Sequence, residues 1–375
     1  MNEAVIIEAV RSPIGKREGT LSKTRPDEIY AAVLSEVIKR SGLDPALIED
    51  VVTGCVTQVG EQGANIGRIS TLLSNLPKEV PAVTLNRMCG SSQQAIHFVA
   101  QAVASGDIDF GIAGGVESMS RVQMFSDIQG GFEKLNPLLF TKYEIVHQGE
   151  SAERIADKWD LSRDDLDNYS CESHARAASA IAEGYFKSQI VPVAGLSVDE
   201  GVRAQLDRAK VASLKTIFRP TGKITAANAS QISDGAAAVL IASAEKAKAL
   251  GLKPRAKFKA RVAVGGDPTM QLIEVIPATQ KALKKAGLTL NDIDVFEVNE
   301  AFASVVLAWM KELKVDPKKV NPNGGAIAHG HPLGATGAVL MTKLINELER
   351  RKARYGLQVM CIGHGMATAT VVERI

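Results

Sequence analysis

The amino-acid sequence predicts an α/β fold built from two copies of one unit, and three observations carry that expectation. Extended apolar runs alternate with amphipathic helical spacings along most of the chain. A helix closed by Gly-Leu and followed by a strand occurs twice, from Ala31 through Gly42-Leu43 to Val51, and from Pro277 through Gly287-Leu288 to Phe296. A distinctive turn follows each signature at a similar offset of about 45 residues, Cys89 after the first and Gly324 to Gly337 after the second. A duplicated fold would set those two turns face to face.

Taken in order, residues 1–10 read as a strand and Arg11 to Gly15 as a turn. A helix from Asp27 to Arg40 is opened by Pro26-Asp27 and closed by Ser41-Gly42. Val51 to Val56 is a short buried strand, and a helix runs from about Asn65 to Leu73. The extended run Val80 to Leu85 leads into Asn86-Arg87-Met88-Cys89-Gly90-Ser91-Ser92, and a helical pattern from Gln94 to Val103 leads out. Cys89 therefore sits where a strand turns into a helix. Phe110 to Ser120 reads as a strand ending in a glycine-rich loop at the same end of the sheet. Over 121–230 glycine, proline and polar residues rise, the strand signal nearly vanishes, and charged helices run from about Glu150 to Lys158 and from Arg163 to Gly184. The expected organisation is an N-terminal half over 1–120, completed by about 231–247, an inserted loop or lid domain over 121–230, and a C-terminal half over 248–375. In that last part Val298-Asn299-Glu300-Ala301-Phe302 is a strand-to-helix junction before a helix from Ala301 to Lys311, and Val359 to Gly365 is a strand ending in a cysteine and glycines.

A hydrophobic share of 45% and a charged share of 23% are ordinary for a globular protein. The net charge of +2, without a Lys/Arg stripe interleaved with aromatics, gives no nucleic-acid signature. No apolar run nears the roughly 20 residues of a membrane span, and the N-terminus lacks a basic region before an apolar one. A soluble, cytoplasmic protein is expected. Cys55, Cys89, Cys171 and Cys361 are too scattered for a disulfide framework or a zinc pair, so reduced thiols are expected.

Two readings of Cys89 stand on the residues alone. A helix N-terminus lowers a thiol pKa and makes a nucleophile, whereas a lone cysteine is commonly a buried structural one. His331, in Gly330-His331-Pro332-Leu333-Gly334, is expected on an exposed turn, able to hold such a thiol as a thiolate–imidazolium pair. His329 beside it raises zinc, but no carboxylate or cysteine stands at ligand spacing. In the lid, Arg203, Arg208, Lys210, Lys215, Arg219 and Lys223 either hold a phosphorylated ligand or form a solvated face. Cys55, Cys171, His97 and His174 are expected to be packing or surface residues.

Asn86-Arg87-x-Cys89-Gly90-Ser91, Asn299-Glu300-Ala301-Phe302-Ala303, Gly330-His331-Pro332-x-Gly334 and Cys361-x-Gly363, in this order, resemble the thiolase family over essentially the whole chain. The resemblance implies a duplicated α/β unit in a layered αβαβα arrangement and CoA-dependent cleavage of 3-ketoacyl-CoA. It implies Cys89 as the acylated nucleophile, His331 as its base, Cys361 as a second acid/base, and Asn299 as holder of a water in an oxyanion site shared with His331. Backbone N–H groups of Cys89 and Gly363 would cradle the thioester oxyanion. Ser230, Ala229, His147 and Phe302 would contact the pantetheine arm. Coenzyme A is then a substrate, no cofactor or metal is implied, and the implied partners are acyl-CoA, a second copy in a homodimer or homotetramer, and a hydratase-dehydrogenase subunit of a beta-oxidation complex. Departures fall near the acyl group: His364 replaces a usual glycine, and Gln148 and Gln271 stand where methionines are frequent. The chain ending resembles degradative members, with the acetoacetyl-CoA-making acetyltransferase as the alternative and a non-catalytic acyl-CoA-binding subunit as a third reading.

Overall fold

The computed structural model describes residues 2–129 and 131–375, so Met1 and Gly130 lie outside it. The first half comprises β1 (Ala4–Arg11), β2 (Gly15–Lys16), α1 (Pro26–Ser41), β3 (Asp50–Gly54), α2 (Ile66–Leu73), β4 (Ala82–Leu85), α3 (Ser91–Ser105) and β5 (Phe110–Ser118). The segment between β5 and β6, where the inserted lid was expected, carries α4 (Pro137–Lys142), α5 (Gln148–Lys158), α6 (Arg163–Ala182) and α7 (Arg208–Ala212). β6 (Ser233–Ser243) and α8 (Ala244–Ala249) return to the first half. The second half follows with β7 (Ala256–Gly265), α9 (Val275–Ala286), β8 (Val295–Val298), α10 (Ala303–Leu313), α11 (Ala326–His329), α12 (Thr336–Arg351), β9 (Tyr355–Ile362) and β10 (Met366–Arg374).

Local signals explain most boundaries. α1 begins on Pro26 and stops at Gly42, whose φ of 69° costs glycine nothing, and α9 stops the same way at Gly287 with φ 68°. Asn65 caps α2 through the Arg68 N–H, and Ser162 with Asp165 forms a capping box on α6. α3 starts at Ser91 rather than Gln94, with Ser91 Oγ bonded to the Arg87 N–H and the Met88 carbonyl and Ser92 buried against the second half.

The strands follow the order β4-β3-β5-β6-β1-β7-β10-β9-β8, with β2 on β6. The duplication is written into this order. β3 and β5 are parallel, β5–β6 and β6–β1 antiparallel. β8 and β9 are likewise parallel, β9–β10 and β10–β7 antiparallel. Within the sheet, among the described residues, the copies are joined where β1 pairs with β7, at Val5↔Lys257 and Ile6↔Ala256.

Alternation along β1 shows the layers. Val5 and Ile7 face an outer core with Ile29, Val33 and Val37 of α1, whereas Ala4 and Ile6 face a central core holding Ile96 and Val99 of α3 and Leu344 and Leu348 of α12. On the far side, Val359 and Ala369 pack with Ala278 and Ala282 of α9 and Val305 and Trp309 of α10. The order is helix, sheet, helix, sheet, helix, which is the αβαβα arrangement expected. α3 and α12, each following one of the special turns, share the middle layer.

Candidate active site

The two special turns are in contact. Ser92 N–H donates to the Gly334 carbonyl at 3.1 Å, and the Ala338 N–H donates to Ser92 Oγ at 2.9 Å. Gly115 of β5 permits this approach, since a Cβ there would stand 2.2 Å from the Gly334 carbonyl oxygen. Glu117 ties the turns further. Its buried carboxylate accepts from the N–H groups of Val56, Thr57 and Gly334 and from Gln62 Nε2, all within 3.1 Å.

Cys89 follows Met88, which is held at φ 46°, a region non-glycine residues avoid. The strain is fixed on both sides: Met88 N–H donates to Asn86 Oδ1 at 2.7 Å, and Ser91 Oγ–H donates to the Met88 carbonyl at 2.6 Å. Cys89 is buried, at 4% exposure. Burial, with the neighbouring Cys361 thiol as a lesser cause, pushes its pKa well up. Of the two readings open in the sequence, the resting thiol is thus buried and neutral, because removal from water outweighs the backbone hydrogen bond that draws it down.

His331 is likewise buried, not exposed on its turn, because the lid segment and the first half close over it. Burial pulls its pKa down to about 4, so the resting imidazole is neutral. Its Nδ1 lies 2.7 Å from Thr336 Oγ1, while Thr336 gives its own proton to the Pro332 carbonyl at 2.8 Å. Thr336 can then only accept, which puts the ring proton on Nδ1 and leaves Nε2 with a free lone pair. Nε2 is buried and has no hydrogen-bond partner among the described residues. The expected thiolate–imidazolium pair is therefore replaced at rest by a neutral thiol and a neutral base.

Asn299 and Cys361 form the second pair. Asn299 Nδ2 donates to Cys361 Sγ at 3.5 Å, and the thiol lies 3.8 Å from the Asn299 carbonyl. Burial pushes the Cys361 thiol up to about 11, and the Asn299 amide draws it partly back. Asn299 Oδ1, like His331 Nε2, is buried without a hydrogen-bond partner among the described residues. Neither the Cys89 nor the Gly363 N–H finds an acceptor elsewhere in the chain among the described residues.

Two cavities converge here. A tunnel of about 510 Å³ is lined by His147, Ala229, Ser230, Phe302 and His331. Ala229 bridges Phe302, and Ser230 N–H donates to the Ala301 carbonyl at 2.9 Å, which fixes that wall. His147 caps α5 through the Gly149 N–H and stacks on Phe218, ring centroids 5.0 Å apart. A chamber of about 100 Å³ is lined by Cys89, Phe125, Phe132, Gln148, Gln271 and His364. Met124, Phe125, Gln148 and Leu333 line both, so chamber and tunnel adjoin.

Of the lid cations, only Arg203 lines the tunnel. Arg219 is bound to Glu150 and Asp157, Lys223 to Asp157, and Arg208 to Asn168, while Lys210 and Lys215 are exposed outside it. Lys16, which ends the short β2 of the first half, and Arg17 just after it join Arg203 at the tunnel and were not foreseen. His329 is directed elsewhere: its Nδ1 is 2.9 Å from Asp199, which also binds Arg11, and its Nε2 is 3.0 Å from the Asn323 carbonyl. Cys55, His97 and His174 are buried outside the cavity walls near Cys89. Glu117 and Thr336 were also missed. An acid closing an otherwise apolar strand signals Glu117, but nothing in the local sequence signals Thr336.

Comparison with known proteins agrees. The thiolase N-terminal domain family matches residues 4–245 and the thiolase C-terminal domain family residues 252–374. The chain belongs to the thiolase family and is an acyltransferase. It is 48% identical to steroid 3-ketoacyl-CoA thiolase FadA6 of Mycobacterium tuberculosis, over 100% of this chain and 95% of that protein. It is 43% identical to a 3-ketoacyl-CoA thiolase of Bacillus subtilis and 42% identical to a beta-ketoadipyl-CoA thiolase of Acinetobacter baylyi, each over 100% of both chains. The crystal structure of the Bacillus anthracis acetyl-CoA acetyltransferase superposes with a TM-score of 0.92 at 37% identity, over 100% of this chain and 99% of the other.

Proposed function

We propose that the protein cleaves 3-ketoacyl-CoA with CoA, giving acetyl-CoA and a shortened acyl-CoA through an acyl-enzyme on Cys89. The observation that carries this reading is the pair of buried, unpartnered acceptors, His331 Nε2 and Asn299 Oδ1, in a site that also holds two thiols. Unpaired buried polar atoms are costly, and they become useful when a reacting group or its water fills the space.

Cys89 gives its proton to His331 Nε2 as its sulfur attacks the 3-keto carbon. The C2–C3 bond breaks, and acetyl-CoA leaves as an enolate that takes a proton from Cys361. The Cys361 thiolate then removes the proton of incoming CoA, whose sulfur takes the acyl group, and Cys89 recovers its proton from His331. The N–H groups of Cys89 and Gly363 suit the thioester oxygen, and a water on Asn299 together with the His331 imidazolium suits the keto oxygen. Ser230, Ala229, His147 and Phe302 line the path of the pantetheine arm, with Arg203, Lys16 and Arg17 for the phosphates. CoA is a substrate, and these steps call on no cofactor or metal.

The names of the relatives support the degradative direction, and the likeness to an acetyl-CoA acetyltransferase supports acetoacetyl-CoA synthesis as the second reading. A homodimer is the proposed assembly: β4 is an edge strand, and Val83 on it with Leu72 and Leu73 of α2 is exposed. CoA-dependent loss of 3-ketoacyl-CoA, with acyl-enzyme mapped by mass spectrometry, tests the function. Acylation absent from Cys89 would sink it.

A further inference from the structure

We propose that the acyl part of the substrate runs out of the chamber beside Cys89, past His364, into a groove on the outside of the lid. The preferred substrate is then a 3-ketoacyl-CoA with an extended or bulky apolar acyl group. The inference rests on the thiolase reading and adds to it a subsite and a substrate class.

Size comes first. The chamber holds about 100 Å³, less than the ~150 Å³ apolar cavity that accommodates one benzene. Alone it fits only a few carbons. Two of its lining residues, Leu135 and His364, also line a neighbouring groove of about 350 Å³, together with Leu139, Tyr143, Ile145 and Pro268. That groove is walled mainly by carbon, and its continuity with the chamber marks the far end of an acyl chain as its occupant.

His364 is the partition between the two. Its backbone sits at φ 60°, where glycine is free and a side chain is strained. It is pinned there, because its N–H donates to Gln271 Oε1 at 2.9 Å and Gln271 Nε2 donates to the Val146 carbonyl at 2.8 Å. The imidazole has no such tie: among the described residues it makes no hydrogen bond and meets Phe132 edge-on with centroids 6.3 Å apart. Burial holds it below the ordinary histidine pKa, so the partition is uncharged at neutral pH. A ring held by its backbone and loose at its tip can swing aside for an apolar chain and close behind a short one.

The test is thiolysis of a 3-ketoacyl-CoA series from acetoacetyl to 3-ketodecanoyl, with one member ending in a saturated ring. Wild-type kcat/KM should rise by about tenfold or more along the series, the lower end of the discrimination that one methylene supplies. Ile145→Trp fills the groove without touching the chamber. It should cost about tenfold or more on 3-ketodecanoyl-CoA while leaving acetoacetyl-CoA within about twofold. Leu139→Asp should repeat that pattern by polarity, and retained acetoacetyl-CoA turnover shows that each variant is folded. A wild type that prefers acetoacetyl-CoA, or variants that affect both substrates equally, would overturn the subsite. A wild type that cleaves no member of the series would overturn the thiolase reading along with it.

Discussion

Cys361 and Glu117 are counterparts in the two halves. β5 is aligned with β3 through Gly115↔Gly54, and β9 with β8 through Val359↔Val298, so each residue stands two positions beyond the corresponding pair. Cys55 and Asn299 correspond in the same way, and each touches its neighbour: Cys55 Sγ lies 3.8 Å from Glu117 Oε1, and Asn299 Nδ2 lies 3.5 Å from Cys361 Sγ. One copy places a buried thiol at this position, and the other places an anchor for the loops.

Glu117→Ala should therefore act first on stability. The Val56, Thr57 and Gly334 N–H groups lose their acceptor, at about 1–3 kcal/mol for each group left buried and unpaired. Denaturant titration should show a loss of about 3 kcal/mol or more, with kcat falling as the Gly334 loop shifts His331. An unchanged midpoint would contradict this role.

Thr336 should govern the tautomer of His331. Thr336→Val removes the acceptor for the Nδ1 proton, freeing the ring to carry its proton on Nε2, where it cannot take one from Cys89. Thiolysis kcat should drop by about 10²-fold, the lower range for a lost general base. Thr336→Ser should recover most of it.

The pH profile follows from the depressed imidazole pKa. His331 must be neutral to act, and it is neutral above about pH 4. The acid limb of kcat/KM should lie below pH 5, not near the ordinary histidine value. The unfolded chain binds this proton near pH 6.5, before the folded chain does, so stability is lost as pH falls from about 6.5 through 4. His174, also pulled down to about 4 by burial, acts in the same sense. An acid limb near pH 6.5 would mean that His331 is solvated in the working enzyme.

The two thiols should fail differently. Cys89→Ala should abolish acyl-enzyme altogether. Cys361→Ala leaves the nucleophile in place, so acetyl-CoA should still label Cys89 slowly while steady-state turnover falls by about 10²–10⁴-fold. Label found on Cys361 in the wild type would reverse the assignment.

Charge reversal at Arg203, or at Lys16 and Arg17 together, should raise KM for CoA thioesters and leave N-acetylcysteamine thioesters unaffected, since only the former carry phosphates. Arg219→Glu should instead cost stability, because it breaks the contacts to Glu150 and Asp157.

Periodicity made much of this architecture legible. The Gly42 and Gly287 caps, the strands at Val51 and Val295, and the position of Cys89 before a helix were readable because they depend on neighbours in sequence. β7 was not read as a strand: its alternating Lys257, Lys259 and Arg261 resemble a solvated segment until β1 and β10 are seen beside it. The resting protonation of Cys89 and His331 escaped for the same reason. A helix terminus is visible in the sequence, but the burial that outweighs it comes from separate segments that only the fold assembles, Val56, Met119, Leu333 and Met360 around Cys89 among them.

The seam between β1 and β7 also bears on how the chain is made. β1 emerges first, yet its antiparallel partner β6 spans Ser233–Ser243, and Cys361 lies near the very end. A nascent chain holds Cys89 long before it holds His331, Asn299 or Cys361. Strand pairings of such long range form late, so an unfinished polypeptide carries the thiol proposed to accept the acyl group without the residues proposed to activate it.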